Sequence, residues 1–264
     1  MPQNRYKAVL TGATGGIGQA IARQLAPQCE HLILLGRNEA KLASLQQELA
    51  ASGAKIEVLA GDIGDTHTHQ RLEALAKSTG GINLLINNAG TSQFKSFSEQ
   101  SSEEIQGLLN TNLLAPMLLS KCLLDLLQKE AKAEIINIGS IFGYIGFPGF
   151  ATYCSSKFGL RGFSQSLRRE LSDTSVSVRY FAPRATKTPI NSDTVMQMNA
   201  ELKTESDTPE YVATELMKFL QTDAWEKKLG GKESFFVFMN QLFPKLPDKA
   251  ILGQLPIIKK YLKK

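Results

Sequence analysis

Hydrophobic positions in the first two-thirds of the chain alternate between two patterns. Short runs rich in Leu, Ile and Val fall at residues 6–10, 31–35, 55–60, 84–87, 134–138 and 176–181. Longer stretches with helical spacing separate them, near 17–26, 39–51, 68–77, 105–128 and 153–171. Runs that are apolar without a polar face suit strands covered on both sides, and their alternation with helices predicts βαβ units around a parallel sheet. The expected fold is therefore α/β, a single-domain, doubly wound, Rossmann-type sheet with helices on both faces and a C-terminal helical tail. Residues 1–224 would form the dinucleotide-binding catalytic domain, and 225–264 an extension of it.

Beyond residue 181 the pattern changes. Residues 183–207 are rich in Pro, Thr, Asn, Ser and Asp and read as a long loop of the kind that forms lids, followed by a helix over about 209–221. In the tail Phe235, Phe238, Met239, Leu242 and Phe243 have helical spacing, and Pro244, Pro247 and Pro256 predict breaks into several short helices.

Composition narrows the class. With 264 residues, 42% of them hydrophobic and 21% charged, the chain can bury a large core. No apolar run approaches the roughly 20 residues that span a bilayer. The start, residues 1–7, is polar and leads into a strand rather than a signal peptide, so a cytoplasmic location is expected. Cys29, Cys122 and Cys154 form neither a close pair nor a CxxC, which suits a reducing compartment. His67 and His69 without a third ligand read as a helix start, and no metal is expected.

The net charge of +5 is uneven, because residues 225–264 hold nine Lys against Glu226, Glu233 and Asp248, a balance of 9 − 3 = +6. No nucleic-acid motif accompanies this basic segment, so nucleic acid ranks last among partners. Ile251, Leu255, Ile258 and Leu262 share a helical face beside Lys259, Lys260, Lys263 and Lys264. Such a helix could close over a lipid-like substrate, pair subunits, touch an anionic membrane as a peripheral contact, or pack on its own domain; these alternatives stay open.

The first strand runs into Thr11-Gly12-Ala13-Thr14-Gly15-Gly16-Ile17-Gly18. Glycine at 12, 16 and 18 lets the backbone turn sharply and approach a pyrophosphate, whose charge then sits at a helix N-terminus. After the second strand comes Arg37-Asn38, with no acid to accept from a free ribose 2′-hydroxyl. Arg37 can instead clamp a 2′-phosphate, so NADP(H) is the expected cofactor. Asp62, after the third strand, could meet the adenine amino group or cap a helix.

Tyr153 and Lys157 are four apart and so share a helix face. A neighbouring ammonium would lower the phenol's pKa toward a useful acid/base range, and Ser140, at a strand end, could donate to a substrate oxygen. With Asn87-Asn88-Ala89-Gly90 and Asn112, these residues bring a family into view. The TGxxxGxG turn, the NNAG, and a Ser followed 13 residues later by YxxxK together resemble the short-chain dehydrogenase/reductase family over about residues 5–190.

The resemblance implies an NADP-dependent enzyme acting on CH–OH groups, with Asn112, Ser140, Tyr153 and Lys157 as its catalytic set. It also implies that Lys157 holds the nicotinamide ribose and that Asn112 supports a proton-relay water. The cofactor contacts it implies are Gly12, Thr14, Gly16, Ile17, Gly18, Arg37, Asn38, Asp62, Ile63, Asn88, Ala89, Gly90, Tyr153, Lys157, Pro183, Thr186 and Thr188. Residues 182–188 depart from the family's PGxVxT, with Arg184 at the glycine and Thr186 at the apolar position. The chain also lacks the VDGG-like final strand that helps many members form tetramers, although a homodimer or homotetramer remains the expectation. The aromatic residues of 141–150 suggest a lipophilic carbonyl or alcohol substrate. The rival from another class is an NAD(P)-sensing protein that keeps the fold without turnover.

Overall fold

The computed structural model describes residues 6–263, so the polar start at Met1–Arg5 and the terminal Lys264 lie outside it. Seven parallel strands form one sheet in the order β3-β2-β1-β4-β5-β6-β7. They are β1 (Tyr6–Thr11), β2 (Cys29–Gly36), β3 (Lys55–Ala60), β4 (Leu84–Asn87), β5 (Ala133–Ile138), β6 (Val176–Ala182) and β7 (Glu226–Lys228).

Side chains two apart along each strand share a face, and the core divides accordingly. Leu10, Leu34, Ile86, Ile138 and Phe181 meet one layer, formed by α1 (Gly16–Leu25), α2 (Glu39–Glu48) and α8 (Pro209–Leu220). Val9, Leu35, Leu85, Ile135 and Val178 meet the opposite layer, which includes α3 (Thr66–Ser78) and α5 (Ala115–Gln128). Strand order reverses between β1 and β4, the point at which doubly wound sheets open a crevice above their carboxyl ends.

The six sequence-predicted strands and the doubly wound class match the structure, and four regions differ from expectation. A seventh strand, β7, pairs with β6 through Tyr180↔Glu226 and Ala182↔Lys228, so the segment leaving the sheet begins after Lys228 rather than at 225. Its three residues, Glu-Lys-Lys, carry no apolar signal that would announce a strand. Within the long loop, α7 (Asp193–Glu201) is capped by the Ser192 hydroxyl, which accepts from Val195 N, and it buries Val195 and Met198.

The tail forms two helices, α9 (Gly231–Leu242) and α10 (Lys245–Leu262), rather than several short ones. Pro247 falls in the first turn of α10, where no hydrogen bond is lost, and Pro256 is carried inside by a helix whose Ile258 and Tyr261 pack against α7.

Finally, α4 (Ser102–Leu109), a π-turn at Asn110–Leu114 and α5 run on as one helix of 27 residues, Ser102–Gln128. Its length and composition would suffice to cross a membrane, contrary to the sequence expectation. Here Ala115, Leu119, Leu123 and Leu127 of its apolar face are buried against the sheet.

Candidate active site

Two adjoining cavities open at the carboxyl edge of the sheet. The larger, about 1220 Å³, runs from the glycine turn past Arg37, Asn38, Asp62 and Ile63 to Asn88, Ala89, Gly90 and Thr188. The smaller, about 220 Å³, is bounded by Ser140, Tyr153, Lys157, Pro183 and Thr186 and walled by Phe142, Phe147, Phe150 and Met198. Ile17, Asn88, Gly90 and Thr188 border both, so the two form one continuous cleft.

The glycine turn is shaped by close approach. Gly12 has φ +63°, and a Cβ there would lie 2.6 Å from Ala89 Cα; one on Gly16 would lie 2.8 Å from Thr188 Cγ2. Helix α1 starts with no side chain capping its first turn and no acid in it, which leaves its N–H groups free for an anion. The Thr188 hydroxyl oxygen is buried without a hydrogen-bond partner in the structure. These three features fit a dinucleotide pyrophosphate in the larger cavity.

Asn88 proves to be a brace. Its amide donates to the carbonyls of Thr11 (3.0 Å) and Gly12 (3.2 Å), tying β4 to the turn. Asn38 is likewise occupied, its carbonyl oxygen accepting from Lys41 N at 2.9 Å as the cap of α2. Asp62 is exposed and accepts from Gly64 N at 2.7 Å; the cap of α3 is Asp65 instead. Arg37 is exposed at the cleft and enters no side-chain hydrogen bond or ion pair among the described residues. Lys41, which the sequence pattern did not single out, lines the same end.

Tyr153 and Lys157 project from α6 (Ala151–Glu170), and Ser140 lies two residues beyond the end of β5, where it caps a short turn at Ile141–Gly143. The Ser140 oxygen accepts from Phe142 N at 3.1 Å and its hydroxyl hydrogen-bonds the Tyr153 phenol. The expected lowering of the phenol by the ammonium is not what the structure gives. Burial pushes Tyr153 up to about 12, with the Ser140 hydroxyl pulling the other way. The Lys157 ammonium donates to Ile138 O at 3.0 Å, and burial brings it down to about 8.

Asn112 sits in the π-turn, a helix irregularity frequent at functional sites, but borders neither cavity. Its carbonyl oxygen accepts from Thr91 N (2.8 Å) while its amide donates to Thr91 O (2.8 Å) and Ser156 Oγ (3.2 Å). It therefore fastens the loop after β4 to α6. Among the described residues no group of three His, Cys, Asp or Glu is arranged for a metal, and His69 Nε2 lies 2.6 Å from Ile63 O.

Arg184 needs no glycine-like backbone, since its φ is not positive. Its guanidinium binds Asp207 (2.9 Å), Glu205 (2.6 Å) and Glu233 (3.3 Å), and these acids hold it firmly charged. Because Asp207 N also bonds Ala185 O at 2.8 Å, the two ends of the segment 184–207 are clipped to each other and, through the Arg184–Glu233 ion pair, to α9.

A family model described as short chain dehydrogenase matches residues 6–199. The ketoacyl reductase HetN of a Nostoc species is 32% identical over 220 residues, covering 83% of this chain and 76% of its own. The 3-oxoacyl-[acyl-carrier-protein] reductase FabG of Haemophilus influenzae is 34% identical over 176 residues, 67% of this chain and 72% of its own. A short-chain dehydrogenase/reductase from Burkholderia phymatum, crystallised with NAD, superposes with a TM-score of 0.83 at 21% identity, over 93% of this chain and 96% of its own.

Proposed function

The chain belongs to the short-chain dehydrogenase family, and from that premise we propose an NADP(H)-dependent oxidoreductase that interconverts a lipophilic carbonyl and an alcohol, with Tyr153 as general acid and base. One observation carries the reading: Ser140, Tyr153 and Lys157 meet in a phenylalanine-walled cavity continuous with the glycine-turn cleft. A nicotinamide bound there would supply a hydride in reduction and take one up in oxidation. The protein's residues then handle charge and proton. Ser140 donates to the substrate oxygen, Tyr153 gives that oxygen its proton in reduction and removes it in oxidation, and Lys157 adds positive charge beside them.

Gly12, Gly16, Gly18 and Thr188 would hold the pyrophosphate, and Arg37 with Lys41 would meet a 2′-phosphate. The absence of an acid beside Arg37 supports NADP(H) over NAD(H). The stacked rings of Phe142 and Phe147, 5.3 Å apart, support an apolar substrate, and the ketoacyl activity named for two relatives makes acyl ketones the first class to try.

A homodimer or homotetramer is supported by exposed Leu114, Met117, Leu118 and Phe158 on neighbouring helices. A peripheral membrane contact is supported by exposed Phe235, Phe238, Leu242, Phe243 and Leu246 beside Lys245 and Lys249. The test of function is NADPH oxidation with aliphatic, aromatic and acyl-thioester ketones, followed at the nicotinamide absorbance. No turnover with any of them, or turnover unchanged in Tyr153→Phe, overturns the reading in favour of a cofactor-binding protein.

A further inference from the structure

Behind the candidate catalytic residues, Tyr180 of β6 is fully buried on the sheet face that α6 covers, among Ile141, Tyr144 and Leu160. It borders neither cavity. Two glycines of the connection from β5 to α6 stand where its phenol ends. A Cβ on Gly139 would fall within the ring edge and hydroxyl of Tyr180. One on Gly143 would meet the same hydroxyl and come within 2.9 Å of Lys157 O. Neither glycine has a positive φ, so what the absent side chains provide is room.

The phenol oxygen accepts from Ser140 N at 3.4 Å and its hydroxyl donates to Lys157 O at 3.3 Å, both long bonds. Its ring meets Tyr144 edge-on at 6.0 Å, and burial keeps the phenol neutral, able to donate and accept together. One rigid side chain thus touches the backbone of the strand end that carries Ser140 and the backbone of the helix that carries Tyr153 and Lys157.

We propose that Tyr180 is a positioning residue that sets the separation between Ser140 and the Tyr153–Lys157 face of α6, and that positions 139 and 143 are glycine because its phenol fills their space. This rests on the reading of Ser140, Tyr153 and Lys157 as the groups that carry carbonyl reduction. A spacer of this kind governs the reacting geometry, where displacements well under an ångström matter.

The experiment compares Tyr180→Phe, Tyr180→Val, Gly139→Ala and the pair Gly139→Ala/Tyr180→Val. Tyr180→Phe keeps the ring, so its melting temperature and NADPH Kd should stay near wild type while kcat falls about fivefold or more. Gly139→Ala should lose both stability and kcat, and adding Tyr180→Val should recover part of each, the signature of two side chains competing for one volume. If Gly139→Ala does not fold, folding of the pair reads the same coupling.

Wild-type kcat in Tyr180→Phe, or a pair no better than the product of its single changes, overturns the proposal. Wild-type turnover abolished by Tyr153→Phe secures the underlying reading. Without it both fall, whereas with it an inert Tyr180→Phe defeats the positioning role alone.

Discussion

The Lys157 ammonium donates to the carbonyl of Ile138 at 3.0 Å, while lying 5.8 Å from the centre of the Tyr153 ring. Its charge is thus held by the end of β5 rather than spent on the phenol, and burial brings it down to about 8. Ketone reduction by NADPH should therefore decline as pH rises through about 8, read from kcat/KM against pH. A flat profile to pH 10 would show that the ammonium contributes nothing. Stability moves the other way. Between about 8 and the ordinary lysine value of 10.5 the unfolded chain binds the proton more tightly, so stability gains with pH across that window. In Lys157→Met that gain should vanish.

Tyr153 is a neutral acid throughout this range, since burial raises it to about 12. Tyr153→Phe should lower kcat about 10²- to 10⁴-fold with NADPH Kd changed little, as measured by nicotinamide fluorescence for binding and absorbance for turnover. Retention of more than a tenth of the activity would move the proton donor elsewhere.

Arg37 is available for a phosphate because no described acid pairs with it. Arg37→Ala should weaken NADPH about 10- to 100-fold and NADH little, from loss of charge-assisted hydrogen bonds. Equal effects on both cofactors would remove Arg37 from the specificity argument, and Lys41→Ala measured alongside would show whether the charge is shared.

Arg184→Gly restores the residue usual in the family and should harm this chain. It leaves the Asp207 carboxylate, whose side chain is only 7% exposed, without its cation, and it unclips the two ends of the segment 184–207. Faster proteolytic nicking within 184–207 and a raised KM for ketone are expected; unchanged cleavage and KM would show that the clip is dispensable.

The exposed aromatic and lysine residues where α9 meets α10 predict binding to anionic vesicles at low ionic strength that weakens near 1 M salt, where charges are screened beyond about 3 Å. Sedimentation should report the loss in Phe238→Glu/Phe243→Glu. Equal sedimentation with neutral vesicles would exclude an electrostatic contact.

Much of this architecture was legible because buried parallel strands are written as unbroken apolar runs, and because the glycine turn, Ser140, Tyr153 and Lys157 fall at spacings their chemistry requires. What escaped did so for physical reasons. Strand β7 is charged and only three residues long, so its strand character comes from the backbone of β6. Asn88 lines the larger cavity as expected, but that its amide also braces the Thr11 carbonyl depends on a partner distant in sequence. The Tyr153 value inverted the expectation since spacing reveals that Lys157 is near and is silent on how much water burial removes. Tyr180 read as one more apolar strand position, and its fit against Gly139 and Gly143 emerges only when β5 and β6 lie side by side.

The brevity of β7 also governs how the sheet meets other molecules. An outermost strand normally offers a row of unpaired amides and carbonyls on which a foreign strand can template, and here that row is three residues long and composed of Glu226, Lys227 and Lys228. Lys227 is tied to Glu215 and Lys228 to Glu226, so an incoming backbone would meet fixed charge before it met a free ladder. At this margin a short, charged edge works against the addition of a foreign strand.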